Sequence, residues 1–224
     1  MQDQFHVAYV IPHTDVTGEM DFHRFLPDHT VHTQRMWLGN VSKEAEQKMV
    51  AEELPSALRY LKGVAPFKCA VFGCTSASAV NGVDGMYAMQ ELIARELGCP
   101  AISVMGAVLH EIHRRNAKSV AVFTPYTDEV NAFVRQTMET FGVSVASICG
   151  MGLILDGDIA ALSPQQILDF VRINRNNVDT EADLCFFSCT NVRSAEIRQE
   201  LSDLVGKPFV TSNQCVIDYV RNLP

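Results

Sequence analysis

The sequence predicts an α/β protein of two similar doubly wound halves with parallel four-stranded sheets, related by a pseudo-two-fold, with the active site in the cleft between them. Three observations point there. Apolar runs of strand length alternate with amphipathic stretches of helix length, which is the pattern of crossover βαβ units. The 224 residues are 47% apolar, so the chain can bury one large core or two of roughly 100 residues each. The order of elements in the first half also recurs in the second.

Taken in chain order, the strand candidates are 5–11 (FHVAYVI, ended by Pro12), 69–73 (CAVFG), 101–104 (entered through Pro100), 119–123 (SVAVF, closed by Pro125), 144–149, 184–188 (LCFFS) and 208–211 (entered through Pro208). Between them, apolar residues at helical spacing predict helices near 43–62, 84–97, 105–115, 127–141, 164–178, 193–204 and 213–222. Ser42 followed by Glu46, and the pair Ser163-Pro164, read as helix starts, because a hydroxyl can cap free amides and proline suits the first turn. Residues 13–41 yield no predicted element.

The repeat is visible residue by residue. Val7-Ala8-Tyr9-Val10-Ile11-Pro12-His13-Thr14-Asp15 aligns with Val120-Ala121-Val122-Phe123-Thr124-Pro125-Tyr126-Thr127-Asp128, an offset of 113 (120 minus 7). Gly73-Cys74-Thr75 aligns with Ser188-Cys189-Thr190, an offset of 115 (189 minus 74). A looser third pair sets Pro100-Ala101-Ile102-Ser103 against Pro208-Phe209-Val210-Thr211. A single pair could be coincidence, but three in matched order favour duplication, with one half formed by 1–115 plus 213–224 and the other by 116–212. Ligands of open parallel sheets bind at the carboxyl ends of the strands. Cys74 and Cys189 would then face one cleft from opposite sides.

Each of the two cysteines follows a strand and precedes a small polar segment able to lead into a helix, where free amides favour thiolate over thiol. Thr75, Ser76 and Ser78 beside one sulfur, with Thr190 and Asn191 beside the other, add the donors a carboxylate-binding pocket needs. The remaining five of the seven cysteines, Cys69, Cys99, Cys149, Cys185 and Cys215, read as small core residues. An odd number scattered over a chain of this length does not look like a disulfide framework.

Composition narrows the partners. Net charge is −8, from 18 Lys plus Arg against 26 Asp plus Glu, and no basic run stands out, so no nucleic acid is expected. No apolar stretch approaches the roughly 20 residues of a membrane span, and no basic start leads into a long apolar core. A soluble, cytoplasmic protein with no membrane partner is expected, and self-association as a homo-oligomer is left open. His29 and His32, like His110 and His113, are three apart, and helical spacing could put each pair on one face. Neither makes a recognisable ligand set, and no CxxC or glycine-rich phosphate loop is present, so no metal and no cofactor is expected.

The segments Gly73-Cys74-Thr75-Ser76-Ala77-Ser78, Pro125-Tyr126-Thr127-Asp128-Glu129-Val130-Asn131, Ser188-Cys189-Thr190-Asn191-Val192-Arg193 and Thr211-Ser212-Asn213-Gln214 together resemble the aspartate/glutamate racemase superfamily. Within it they resemble the branch of maleate cis-trans isomerases and arylmalonate decarboxylases. The resemblance implies a cofactor-independent enzyme, an isomerase acting on a small carboxylic acid with Cys74 and Cys189 on opposite faces of the substrate. It further implies that Thr75, Ser76 and Tyr126 hold the reacting carboxylate and that Pro12 shapes the cleft wall. Amino-acid or hydantoin racemisation, arylmalonate-type decarboxylation and carboxylate binding without turnover are the alternatives. Arylmalonate decarboxylases have glycine where Cys74 stands, which counts against decarboxylation. Maleate isomerases show Pro-Ser-Ser-Asn in the first loop, where this chain has Pro12-His13-Thr14-Asp15. Asp15 as an anion would repel a second carboxylate unless protonated or turned away, or it would receive an ammonium or hydroxyl group.

Overall fold

Every run read as a strand forms one, and an eighth joins them. In the computed structural model, which describes residues 5–178 and 181–223, β1 (Phe5–Pro12), β2 (His29–Met36), β3 (Cys69–Phe72) and β4 (Ala101–Ser103) make one sheet in the order β2-β1-β3-β4. The other sheet, from β5 (Ser119–Thr124), β6 (Ser144–Gly150), β7 (Leu184–Phe187) and β8 (Phe209–Thr211), has the equivalent order β6-β5-β7-β8. All pairings are parallel. The two cysteine-bearing strands, β3 and β7, hold the same place in their sheets and are buried along their whole length, as interior parallel strands must be.

The extra strand is β2, and the sequence hid it for a physical reason. As an edge strand it pairs only with β1 and reads HTVHTQRM, with partly exposed side chains along most of its length. An edge needs no continuous apolar run. Its presence overturns the helical reading of His29 and His32, because residues an odd number apart on a strand point to opposite faces. His32 Nε2 instead lies 2.9 Å from His6 Nδ1, and His29 packs against Phe5. His110 and His113 do lie on a helix, where they pack against the rings of Tyr219 and Phe141.

The helices are α1 (Thr17–Phe25), α2 (Lys43–Lys48), α3 (Leu54–Leu61), α4 (Thr75–Val80), α5 (Gly82–Leu97), α6 (Val104–Arg114), α7 (Asp128–Thr140), α8 (Asp156–Ala160), α9 (Pro164–Asn174), α10 (Arg198–Val205) and α11 (Ser212–Arg221). The predicted helix 43–62 is α2 and α3 joined by a π-helical turn over Met49–Glu53, and 164–178 is α9 followed by a 3₁₀ turn over Arg175–Asn177. The helix expected at 193–204 begins only at Arg198. The residues before it make short turns, one closed by the Ser194 amide on the Val192 carbonyl at 2.7 Å, and Glu196 pairs with Arg24 of the first half.

Alternation along β1 shows where the core sits. Val7, Tyr9 and Ile11 face a large apolar cluster that continues through α6 into β5 and β7, while Ala8 and Val10 face a second cluster under α3 and α5. Helix α4 packs on α7, and the last helix packs on α6 and α1. Thr137 on α7 also donates to the Ala79 carbonyl of α4 at 2.9 Å. The strand ends carrying Cys74 and Cys189 are thereby tied to a shared core.

Candidate active site

The Cys74 turn depends on glycine. A β-carbon on Gly73 would lie 2.4 Å from Tyr9 Cε2 and 2.6 Å from Ile11 Cγ2, so the chain can bend over β1 there only without a side chain. Cys74 follows as the N-cap residue of α4. Its Sγ lies 3.6 Å from Ser76 Oγ, and its carbonyl accepts from Ser78 Oγ at 2.7 Å.

Cys189 is held differently. Its φ is +109°, a left-handed value that costs a non-glycine residue on the order of 1–3 kcal/mol and persists only when the surroundings impose it. They do so here: the Cys189 amide donates to Ser212 Oγ at 3.0 Å, and Cys189 Sγ accepts from the Asn191 amide at 3.4 Å. Asn191 then ties this turn to the first half. Its Oδ1 accepts from the amides of Val16 and Thr17 at 3.0 and 3.3 Å, and its Nδ2 reaches the Thr14 carbonyl at 3.1 Å and Asp156 Oδ2 at 3.0 Å.

The two cysteine loops touch. Ser212, on the first turn of α11, accepts from Thr75 Oγ1 at 3.0 Å while it accepts from the Cys189 amide. Thr190 Oγ1 donates to the Gly73 carbonyl at 3.3 Å. Asn213 Nδ2 holds the Thr190 carbonyl at 2.8 Å and Asp21 Oδ2 at 2.7 Å. Tyr126, beyond the end of β5, is buried close enough to both sulfurs that either, ionised, would act on its hydroxyl. Both thiols are nearly covered, at 5% and 6% exposure. The open grooves along α7 and between α6 and α11 reach neither.

Three carboxyl groups surround the pair. Asp15 is wholly buried, and one of its oxygens accepts from the Gly18 amide at 2.7 Å. Gly18 is itself required, since a β-carbon there would meet the Tyr9 hydroxyl at 2.5 Å. Asp156 Oδ2 accepts from Thr14 Oγ1 as well as from Asn191. Glu46, on α2, is wholly buried and accepts from Ser76 Oγ. Buried polar atoms are seldom left without partners, yet Tyr9 Oη, Asp15 Oδ2, Glu46 Oε2, Tyr126 Oη, Ser188 Oγ and Asn213 Oδ1 all lack one. All six belong to this one region. These atoms leave hydrogen bonds free to offer a polar ligand.

Burial sets the protonation states. It pushes the Asp15 carboxyl up to about 7, against the opposing pull of the Thr190 hydroxyl and the Gly18 amide. It pushes Glu46 up to about 8 against the Ser76 hydroxyl, and raises Asp156 as well. Both thiols rise well above their ordinary range: Cys74 through burial and then the Glu46 charge, Cys189 through burial and then Asp156. The expectation that helix-end amides would make them thiolates is therefore corrected. Only Cys74 begins a helix, α4 is six residues long, and desolvation with neighbouring carboxylates outweighs what the amides contribute.

Of the residues read from sequence, Cys74, Thr75, Ser76, Tyr126, Cys189, Thr190, Asn191 and Asp15 meet in this region, and Pro12 lies at its edge, its carbonyl accepting from the Asp15 amide at 3.0 Å. Thr75 and Ser76 direct their hydroxyl protons to Ser212 and Glu46. Sequence reasoning missed Ser212, Tyr9 and Glu46. Ser212 lay inside a noted motif. Glu46 stood three and four residues before Met49 and Val50, on the apolar stripe of its helix, which is a readable sign of a buried carboxyl. Among the described residues no three His, Cys, Asp or Glu side chains group to hold a metal, and no helix is long and apolar enough to cross a membrane.

Residues 9–222 match the arylmalonate decarboxylase family model. The chain belongs to the arylmalonate decarboxylase family. A maleate isomerase of Geobacillus stearothermophilus is 23% identical over 231 residues, covering 95% of this chain and 88% of that protein. Among solved structures, a variant of arylmalonate decarboxylase in a liganded form, with glycine changed to cysteine and cysteine to serine, superposes with a TM-score of 0.88 at 19% identity, covering 98% of this chain and 92% of its own. A cysteine-to-serine variant of Nocardia farcinica maleate cis-trans isomerase, carrying a covalently bound succinylcysteine intermediate, superposes with a TM-score of 0.86 at 18% identity, covering 98% and 94%. The family fold thus extends over nearly the whole chain.

Proposed function

We propose that this member of the family is a cofactor-independent isomerase of a small carboxylic acid, of maleate cis-trans isomerase type, in which Cys74 and Cys189 act on one substrate. The observation that carries the reading is the pair itself. Two thiols stand at equivalent strand ends of two equivalent sheets, joined through Ser212 and Thr190, amid unpartnered polar atoms. The succinylcysteine captured in the Nocardia farcinica enzyme supports a sulfur carrying the substrate skeleton on this fold. In the reaction, Cys74 Sγ forms a bond to one olefinic carbon, and the π pair moves into the carboxylate as an enediolate. Cys189 gives its proton to the neighbouring carbon. Rotation about the resulting single bond, return of that proton to Cys189 and expulsion of Cys74 yield the trans acid. Tyr126 and nearby amides face the enediolate charge, where preorganised donors in a water-poor site act most strongly.

A second reading has its own observation. Asp15 offers a wholly buried, unpartnered oxygen beside Cys189. While neutral it can donate to a second carboxylate, and once ionised it suits an ammonium or hydroxyl group. Dicarboxylate binding should therefore weaken, read as a rising KM, as pH rises through about 7, where Asp15 ionises. An amino- or hydroxy-carboxylate should instead bind better above it. The test is to incubate the protein with maleate, amino and hydroxy diacids, arylmalonates and hydantoins in deuterated water and follow each by NMR. Conversion of maleate to fumarate supports isomerisation. Deuterium entering the α-carbon of an amino acid or hydantoin as its configuration inverts would replace it with racemisation, and loss of carbon dioxide from an arylmalonate would replace it with decarboxylation.

A further inference from the structure

The two-thiol reaction leaves one matter open: where the Cys74 proton goes. A neutral thiol adds poorly to an olefin, and the burial that keeps water away also removes water as an acceptor. The surroundings hold one continuous route. Cys74 Sγ lies 3.6 Å from Ser76 Oγ, and Ser76 Oγ donates its single proton to Glu46 Oε1. While Glu46 is ionised Ser76 gives its one proton to that carboxylate, and its oxygen then accepts from the sulfur side. The chain of donors therefore runs one way, from S–H to O–H to carboxylate. Glu46 enters from α2, an element that carries no other residue of the site, and is wholly buried. Its second oxygen has no partner. A carboxyl group buried without a cation costs stability. Lys43 lies over the Phe133 ring, and Lys48 pairs with Glu52 on the exposed side.

We propose that Glu46 and Ser76 form a proton relay that discharges the Cys74 thiol as its sulfur bonds to the substrate. This rests on the reading of Cys74 as the nucleophile given above. In the forward step the Cys74 proton passes to Ser76 Oγ while the Ser76 proton passes to Glu46, and the sulfur lone pair forms the C–S bond. On elimination the C–S bond breaks, its electron pair returns to sulfur, and the protons run back. Glu46 is neutral at the end of the first step and an anion at the end of the second, so the cycle needs no outside base. Ser76 is then a relay atom rather than a carboxylate clamp, and Glu46 a positioning residue that sets when the sulfur can react.

The groups facing Glu46 are Cys74 and Ser76 from the β3–α4 turn, Tyr126 from beyond β5 and Asp156 from α8. The relay needs Glu46 ionised, so kcat at saturating substrate should climb with pH through about 8, where its carboxyl titrates. Glu46→Gln keeps size and hydrogen bonding but cannot take a proton. It should lower kcat at least tenfold, leave KM within about twofold and abolish that rise, in keeping with the roughly 10²–10⁴ typical of a lost proton acceptor. Glu46→Asp, which keeps the acid, should retain the rise at reduced kcat.

A direct readout of the thiol separates this from a merely structural role. Iodoacetamide labelling of the Cys74 peptide, followed by mass spectrometry across pH 6–11, reports thiolate without any substrate. Because the Glu46 charge raises the Cys74 thiol, Glu46→Gln should shift the Cys74 labelling midpoint downward while Cys189 labelling stays put. A lower Cys74 midpoint at an unchanged limiting labelling rate, together with slower turnover, is the signature of the relay, since loss of packing would expose the buried sulfur and raise the limiting rate as well. Unchanged kcat in Glu46→Gln, or an unmoved Cys74 midpoint, would overturn it. If the wild type converts none of the carboxylates tried, the isomerase reading fails instead, and the labelling midpoint still decides whether Glu46 controls this sulfur.

Discussion

Replacing Ser212 by alanine removes one oxygen and strands two donors. Ser212 Oγ accepts from Thr75 Oγ1 and from the Cys189 amide, each at 3.0 Å, and Ser212, Thr75 and Cys189 are all buried. A buried donor left without a partner costs about 1–3 kcal/mol, so the pair should cost roughly 2–6 kcal/mol. For a chain of this length each kcal/mol lowers the melting temperature by about 2–4 °C, which places Ser212→Ala roughly 4–24 °C below the wild type. The same loss frees the backbone of Cys189 to leave its φ of +109°, so turnover should fall more than the melting shift alone explains. Differential scanning calorimetry reads the first effect, and NMR turnover well below the melting temperature reads the second. Ser56, whose hydroxyl accepts from Arg59 in an exposed contact, serves as the control, and its alanine variant should stay within about 0.5 kcal/mol of the wild type. A Ser212→Ala protein that melts within ~1 °C of the wild type and turns over normally would refute the reasoning.

Gly73→Ala should not be tolerated, because the new β-carbon would lie 2.4 Å from the Tyr9 ring. Overpacking of this kind costs about 1–3 kcal/mol or more, and a urea midpoint at or above the wild-type value would contradict it. Asp15→Asn should stabilise the protein in a pH-dependent way. The folded pKa of Asp15 is raised from 3.8 to about 7, so its contribution is greatest below the unfolded value and is lost as pH rises towards 7. The variant should thus gain little at pH 4 and most, on the order of 1–4 kcal/mol, above pH 7. Urea unfolding at those two pH values checks the sign, and an equal gain at both would show that the charge is not the cause.

The fold was legible where burial on both faces demanded it. β3 and β7 read CAVF and LCFF because interior parallel strands leave no room for polar side chains. β2 was not, since its edge position tolerates histidine, threonine and glutamine, and α1 was not, with Gly18 at its second residue. That Cys74 and Cys189 stand at equivalent strand ends was legible because the two halves repeat one order of elements. The environment of the pair was not. Whether an amide lowers a thiol pKa or burial raises it depends on which side chains cover the sulfur, and Glu46, Ser212 and Asp156 come from elements remote in sequence. The bonds of Asn191 to Val16, Thr17, Thr14 and Asp156 are likewise a tertiary choice that local propensity does not contain.

The most direct test of two thiols acting on one substrate is to look for the covalent intermediate. Cys189→Ser and Cys74→Ala proteins would each be incubated with maleate, denatured in acid, digested and mapped by mass spectrometry. The two-thiol mechanism predicts one substrate mass added to the Cys74 peptide of Cys189→Ser, none on any cysteine of Cys74→Ala, and loss of turnover in both. Wild-type turnover in either variant, or an adduct carried by one of the other five cysteines alone, would contradict it.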